Sequence, residues 1–377
     1  MSAGFENADL NNFKLRDESS VLSPSLLFLH DRIEVNIDRM IGMVRHIHRL
    51  RPHVKTHKCP AIVKKMVAKG ILKFKCATIA EAEMLAHNGA TDILIAMPMV
   101  GPNRVRLVAL VEGFSGIRFS TICDCEEGAL ALSRVFERVG KSISVFVDLD
   151  GGMHRTGIAV DSEAALLYER MSSMPGLNLA GLHVYDGHLG QTDIGARRVA
   201  CDTLFEVVEA FRKRLENRSI SVPSIVAGGT PSFPIHAQRS GYVECSPGTC
   251  VVWDHGYGTT FPDLDFLFAG LVFTRVISKP VSGHLCLDAG HKAVAAEGRP
   301  PHLFFPALPD AVQVMQSEEH LVIATEQAGA FEVGHGLYGV PRHICPTVAL
   351  YDEAYWIESD RIAGEVAIMA RARKLGF

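Results

Sequence analysis

The chain has 377 residues, of which 47% are hydrophobic and 21% charged, with 38 Lys and Arg against 42 Asp and Glu. That length holds two or three domain equivalents, although one barrel can absorb ~250 residues, and it can bury a large core with no disulfide or metal staple. The net charge of −4 leaves no basic excess for neutralising phosphates, which excludes a nucleic-acid binder, and no apolar run reaches the ~18 residues of a membrane helix.

Residues 1–20 are polar and acidic, unlike a signal peptide, and read as an arm that is mobile or packed on a later domain. From Ser25 to about Thr230 short apolar runs alternate with amphipathic stretches. Strands are expected at Ser25–His30, Pro52–Lys55, Lys73–Thr78, Asp92–Met97, Ile117–Cys123, Ile143–Leu149, Leu179–Tyr185 and Val222–Ala227. Helices are expected at Asp31–Leu50, Pro60–Lys69, Ile79–His87, Glu126–Val139, Ser162–Met174 and Thr192–Asn217. Eight strands alternating with helices point to an α/β fold, a (β/α)8 barrel of the TIM type, with a doubly wound open sheet as the competing topology.

After about Tyr242 the helical periods fade. Phe266–Ser278, His284–Asp288, Val312–Met315, His320–Ala324, Gly339–Ile344 and Thr347–Leu350 read as strands, with turns at Ser282-Gly283 and Glu297-Gly298. Strands without crossover helices build an antiparallel sheet. The expected division is therefore an arm (1–20), a barrel (21–250) and a mostly antiparallel β domain (251–377).

Three segments carry chemistry. In Arg51-Pro52-His53-Val54-Lys55-Thr56-His57-Lys58, strand alternation puts Arg51, His53, Lys55 and His57 on one face. Inside a barrel mouth, burial would lower a lysine's pKa toward the range useful for Schiff-base chemistry, and Lys55 is the candidate. In solvent the same run would be an ordinary basic strand end. Lys58 is its local competitor and is expected in the outer loop.

Val226-Ala227-Gly228-Gly229-Thr230-Pro231-Ser232 follows the last expected barrel strand. Paired glycines there suit either a plain turn or a phosphate loop, with Ser246-Pro247-Gly248-Thr249 as a second wall. In His343-Ile344-Cys345-Pro346-Thr347, strand alternation would aim imidazole and thiolate the same way, as a structural pair or as ligands to zinc. Cys123-Asp124-Cys125 is assigned to structure. His46 and His48, expected two apart on a helix and facing different ways, are not a metal pair. Nine cysteines without a repeating spacing fit reduced thiols and a soluble, cytoplasmic protein.

Taken with Val-Asp-Leu-Asp-Gly-Gly-Met-His-Arg-Thr-Gly-Ile (147–158), Gly-Leu-His-Val-Tyr-Asp-Gly-His (181–188), Asp-Ala-Gly-His-Lys (288–292) and Ser-Glu-Glu-His (317–320), these segments resemble the D-threonine aldolase/D-serine dehydratase family, in the family's order. The resemblance implies a fold-type III pyridoxal phosphate enzyme, with an alanine-racemase-like barrel followed by a β domain, acting as a homodimer on a small β-hydroxy-D-amino acid. It implies that Lys55 bonds the cofactor, that Tyr185 meets the pyridine nitrogen, and that Arg155 lies close to the ring. Gly228, Gly229, Thr230, Gly248 and Thr249 would hold the phosphate. His343 and Cys345 would bind the divalent metal. His188, near Tyr185 in the chain, reads either as a proton carrier or as a core histidine.

At position 345 the family's aldolases typically have aspartate and its dehydratases cysteine. Thiolate favours zinc, whereas carboxylate favours manganese or magnesium. The flanking Lys-Thr-His-Lys-Cys-Pro and Cys-Pro-Thr-Val-Ala-Leu-Tyr-Asp instead resemble the aldolase branch. A retro-aldol lyase giving glycine and an aldehyde is the first expectation, and a dehydratase giving a 2-oxo acid and ammonia the second. An amino-acid racemase and a non-catalytic pyridoxal phosphate carrier are the remaining alternatives.

Overall fold

A computed structural model describes residues 6–377, so the first residues of the expected arm lie outside the description. The described chain divides into two compact units, residues 41–55, 63–248 and 372–377 in one, and 6–40, 56–62 and 249–371 in the other. No described helix is long and apolar enough to cross a membrane.

β1 (Ser25–Leu29) belongs to the second unit. The first unit is built on parallel strands β2 (Lys73–Cys76), β3 (Asp92–Pro98), β4 (Arg118–Cys123), β5 (Ile143–Asp150), β6 (Leu177–Tyr185), β7 (Ser224–Ala227) and β8 (Val243–Cys245), paired in that order. Leu50 bridges to Cys245 and His53 to Lys75, both in parallel. Residues 50–53 thus run between β8 and β2 and close the ring as its eighth stave, which rules out the open sheet. The amides of Arg51 and His53 donate to the carbonyls of Cys245 and Pro247, and the Lys75 amide to that of Pro52.

The barrel interior is layered. Leu94, Ile122, Phe146 and Val226 form an apolar plug with Ala96 and Ala180 packed on it. One layer along β3, Arg51 holds Asp92 at 2.8 Å and Glu244 at 2.5 Å, and Lys73 reaches Glu244 at 2.5 Å. Burial opposes ionisation, yet Arg51 and then Arg118 hold Asp92 below the usual carboxylate range, and Arg51 and then Lys73 do the same for Glu244. A β-bulge breaks the alternation of β6: Val145 pairs Leu179 and Phe146 pairs Gly181, leaving Ala180 unopposed. The extra residue turns His183 and Tyr185 to the face that strict alternation would have given Leu182 and Val184.

The second unit pairs β9 (Gly270–Ser278), β10 (His284–Leu287), β11 (Leu303–Phe304), β12 (Val312–Gln316), β13 (Leu321–Ala324), β14 (Gly336–Pro341), β15 (Glu353–Glu358) and β16 (Arg361–Ala367) with β1 in one sheet. Only the β1–β15 pair is parallel. Leu10, Leu15 and Val21 pack into its core with Leu27, Leu271, Phe273 and Val340.

Several expectations are corrected here. Ser25–His30 is no barrel strand: its residues are buried at the centre of the second sheet, between β9 and β15, and an apolar run covered on both sides reads alike in either place. The stave at 50–53 stops early, because Val54–Thr56 winds into a 3-10 turn. Val222–Ala227 is followed by one more strand, β8, only three residues long. Thr347–Leu350 is not a strand, since residues 344–348 form a short helix, and β15 and β16 lie beyond it.

Candidate active site

The barrel unit carries a cavity of about 350 Å³ lined by His53, Lys55, Lys75, Arg155, His183 and Tyr185, with Ala96, Met97 and Pro98 as an apolar wall. Lys55 follows the closing stave into the 3-10 turn. Its Nζ lies 5.8 Å from the centroid of the Tyr185 ring, and the Arg155 guanidinium carbon lies 4.8 Å from the same centroid. Tyr185 ends β6, and its place depends on Gly187, where an added Cβ would lie 2.3 Å from the Tyr185 hydroxyl. Lys55, Tyr185 and Arg155 are therefore brought together.

The shared face expected for Arg51, His53, Lys55 and His57 does not persist. Arg51 serves the charged layer, and His53 and Lys55 line the cavity. His57 belongs to the other unit and is fully buried, its Nδ1 accepting from the Cys59 amide at 3.2 Å. Burial, aided by the Lys58 charge, pushes its imidazole down to about 3. Lys58 is only half-buried, at φ 50°. His188 is exposed beside Gly152 and does not line the cavity.

The loops after β7 and β8 carry the glycines expected to hold a phosphate. Gly228 has φ +73°, and a Cβ there would meet His236 and the Ser232 hydroxyl, each at 2.6 Å. At Gly229 a Cβ would lie 3.0 Å from the Tyr185 ring. The Gly248 amide donates to the Thr230 hydroxyl at 3.0 Å, and the buried Ser246 hydroxyl has no partner among the described residues. An orphaned hydroxyl between glycines fits a phosphate. Thr249, next in the chain, starts a 3-10 helix assigned to the other unit.

Beneath this loop lies a cluster that sequence reasoning missed. Asp186 accepts from His236 Nε2 at 2.8 Å and from the Ser232 hydroxyl at 2.7 Å, and the Gly229 amide donates to Ser232 at 3.2 Å. Cys201 completes a buried trio with Asp186 and His236, the only such group of three potential metal ligands among the described residues. Arg239 donates to His236 Nδ1 at 3.1 Å, so the imidazole is engaged on both nitrogens and a cation already occupies its flank. This cluster holds the loop in place.

In the β unit, His343 caps the short helix of residues 344–348, so Cys345 sits in a helical turn rather than two places along a strand. The pair stays together all the same. Burial disfavours charge on His343, but its hydrogen bond to Cys345, the charges of Cys345 and Asp254, and Glu297 push it up to about 9. His343 Nδ1 meets Glu297 at 2.7 Å, which leaves Nε2 as the nitrogen on the Cys345 side that a metal would take. A carboxylate behind the distal nitrogen is the usual support of a metal-binding imidazole. Cys345 Sγ lies 3.2 Å from the Thr56 hydroxyl and 3.8 Å from that of Thr249. An imidazole and a thiol of this kind suit zinc or a neighbouring transition metal.

The other motifs have structural roles. Cys123 Sγ donates to the Cys125 carbonyl at 3.3 Å. The expected α-helix ends at Met43, and His46 and His48 sit instead at the start of and within a 3-10 turn, Ile47–Arg49; their rings stack, centroids 5.3 Å apart, instead of facing apart.

Known proteins resemble the chain along both units. Residues 30–255 match the alanine racemase N-terminal domain, and residues 269–357 a putative serine dehydratase domain. A D-threonine aldolase from an Arthrobacter species is 31% identical, over 88% of this chain and 87% of its own. A D-threo-3-hydroxyaspartate dehydratase from a Delftia species is 25% identical, over 87% and 92%. The crystal structure of a D-threonine aldolase from Filomicrobium marinum superposes with a TM-score of 0.88 at 26% identity, over 96% of this chain and 98% of that one.

Proposed function

This chain belongs to the D-threonine aldolase/D-serine dehydratase family, on the alanine racemase N-terminal domain, and we propose that it cleaves a β-hydroxy-D-amino acid into glycine and an aldehyde. The observation that carries the reading is the cavity in which the Lys55 amine, Tyr185 and Arg155 converge beside two glycine loops. The residues fit pyridoxal phosphate: an amine to bond its carbonyl, a loop pair for its phosphate, and an aromatic hydroxyl with a cation for its ring.

When bound, pyridoxal phosphate supplies an electron sink for the bond broken at the substrate's Cα. Lys55 would hold the cofactor through its amine. Tyr185 offers a neutral partner to the pyridine nitrogen, and the Asp186–Ser232 contact keeps the glycine loop from shifting. His343 and Cys345, backed by Glu297, would hold a divalent metal, zinc before manganese or magnesium, whose Lewis acidity would act on the β-hydroxyl. His188, exposed on the loop after β6 and off the cavity wall, is given no proton-transfer role.

One observation favours the second reading. Cys345 is the ligand that the resemblance associates with dehydratases, and in that version Lys55 takes the Cα proton and hydroxide leaves from Cβ. Incubation with D-threonine separates the two. Acetaldehyde with glycine is the expected outcome, and 2-oxobutyrate with ammonia would replace it by dehydration. Neither product with metal present would sink both, and turnover that resists chelation would point to racemisation. A cofactor band without turnover of any D-amino acid would leave only a carrier. Lys55→Ala is expected to abolish the cofactor absorbance.

A further inference from the structure

Lys75 lines the cavity, yet no motif accounts for it. It projects from β2 at 3% exposure, and its Nζ lies 5.8 Å from the Tyr185 centroid, as far as Lys55 does. Its polar contact is His183 Nε2 at 3.5 Å. His183 Nδ1 meets Asp148 at 2.6 Å, which places the imidazole proton on Nδ1 and a lone pair on Nε2 toward Lys75. No carboxylate forms an ion pair with Lys75 among the described residues.

A buried ammonium without a counter-ion is unfavourable. Burial first, then the charge of Lys55, push this amine down to about 7; Asp148 and Asp186 oppose the shift and Arg51 adds to it. Such a group is poised to be fixed as a cation by an anion that enters the cavity. Pyridoxal phosphate brings two anions, the phosphate and the ring phenolate. The glycine loops after β7 and β8 suit the phosphate, which leaves the phenolate for the cations of the cavity itself.

On the cofactor assignment made above, we propose that Lys75 is a second cofactor-binding residue, whose ammonium takes the ring phenolate of pyridoxal phosphate while Lys55 bonds its carbonyl. Asp148 and His183 act behind it as positioning residues, because the fixed lone pair on His183 holds the amine in one orientation. The arrangement resembles a carboxylate–histidine support in which the supported group is a cation donor.

The test uses the holoenzyme with Lys75→Met, Lys75→Gln and Lys75→Arg. The first readout is cofactor retention under dialysis. The second is the visible band of the bound cofactor, titrated across the neutral range. The third is borohydride reduction with peptide mapping of the labelled lysine. Losing a hydrogen bond to a charged group should weaken retention about 10- to 100-fold in Lys75→Met and in Lys75→Gln.

Both variants should also shift the midpoint of the spectral titration, and Lys75→Arg should restore part of each effect. The other ionisable groups facing Lys75 are Arg51, His53 and Lys55 from the closing stave, Asp148 from β5, His183, Tyr185 and Asp186 along β6, and Arg155. All remain in the variants, so a lost shift belongs to Lys75. Wild-type retention and an unmoved midpoint in either neutral variant would overturn the proposal. A label found on a lysine other than Lys55 in the wild type would instead overturn the cofactor reading on which it rests.

Discussion

Gly187→Ala tests how Tyr185 is placed. The new Cβ would lie 2.3 Å from the Tyr185 hydroxyl and 2.4 Å from two ring carbons. Ordinary carbon contacts begin near ~3.5 Å, so the ring must move by about 1.2 Å. The substitution lies on a loop and requires no positive φ, since Gly187 is not among the glycines in the left-handed region. Its cost to the fold should therefore be that of modest overpacking, about 1–3 kcal/mol. Its cost to function should be larger in proportion, because a ~1 Å misplacement in a reactive site lowers rates about 100-fold. Arg155 and Lys55 both face this ring, so the cofactor band and kcat/KM on D-threonine should fall together. Urea unfolding of the same sample separates the two effects. A variant with wild-type kcat/KM and cofactor spectrum would refute the view that Gly187 sets the ring.

The buried charges and the metal ligands are open to test as well. Arg51→Met leaves Asp92 with Arg118 alone and Glu244 with Lys73 alone, so the loss should fall below the about 3–5 kcal/mol of a fully unpaired buried charge, at pH 7 in urea unfolding. Since Arg51 depresses both carboxylates, its contribution exists above their unfolded pKa values, and the gap between the proteins should narrow as pH falls below about 4; a constant gap would contradict this. His57 is held neutral by burial, so stability should fall as pH drops below about 6.5, where the unfolded chain takes up the proton and the native one does not. Between pH 6.5 and 5 this amounts to about 2 kcal/mol, and it should vanish from the pH slope of His57→Gln. Glu297→Ala should weaken metal retention about 10- to 100-fold, measured by elemental analysis after dialysis, with unchanged metal content speaking against the role given to His343.

The legible parts of this chain were those where one local pattern had one meaning. The amphipathic periods gave the helix at Ile79–His87 and placed that at Glu126–Arg138 to within a residue, and Ser282-Gly283 marked the turn before β10, with Gly283 at φ +77°. Tyr185 and Arg155 came from motif resemblance and the glycine loops from their place after the last expected barrel strand, and geometry unites Tyr185 and Arg155 with Lys55. Two kinds of feature were not legible. β8 is three residues long, Val-Glu-Cys, with a buried glutamate, so neither its length nor its polarity announced a strand. Its glutamate is tolerable only because Arg51 meets it, a contact between distant parts of the chain. His183 was hidden for a related reason, since strict alternation along β6 would give the inward face to Leu182 and Val184. The visible signal was the glycine of Ala180-Gly181, where a Cβ at Gly181 would come within 1.8 Å of the Ser224 carbonyl oxygen. A glycine inside an apolar strand is a reason to suspect a bulge and to reverse the facing of the residues after it.

The closing stave has a kinetic side. Residues 50–53 pair with β2, close in sequence, and with β8, at the far end of the barrel segment. The second contact is the last strand pairing of the barrel that a chain made from its N-terminus can form, and long-range parallel pairing is slow because loop closure precedes any reward. Lys55 hangs directly from that stave. On refolding, competence to bind cofactor should thus arrive with ring closure, after most helical ellipticity has returned. A cofactor held as proposed, at Lys55 and at the loops after β7 and β8, would then act as a latch across the seam, slowing its reopening in proportion to how tightly it is held.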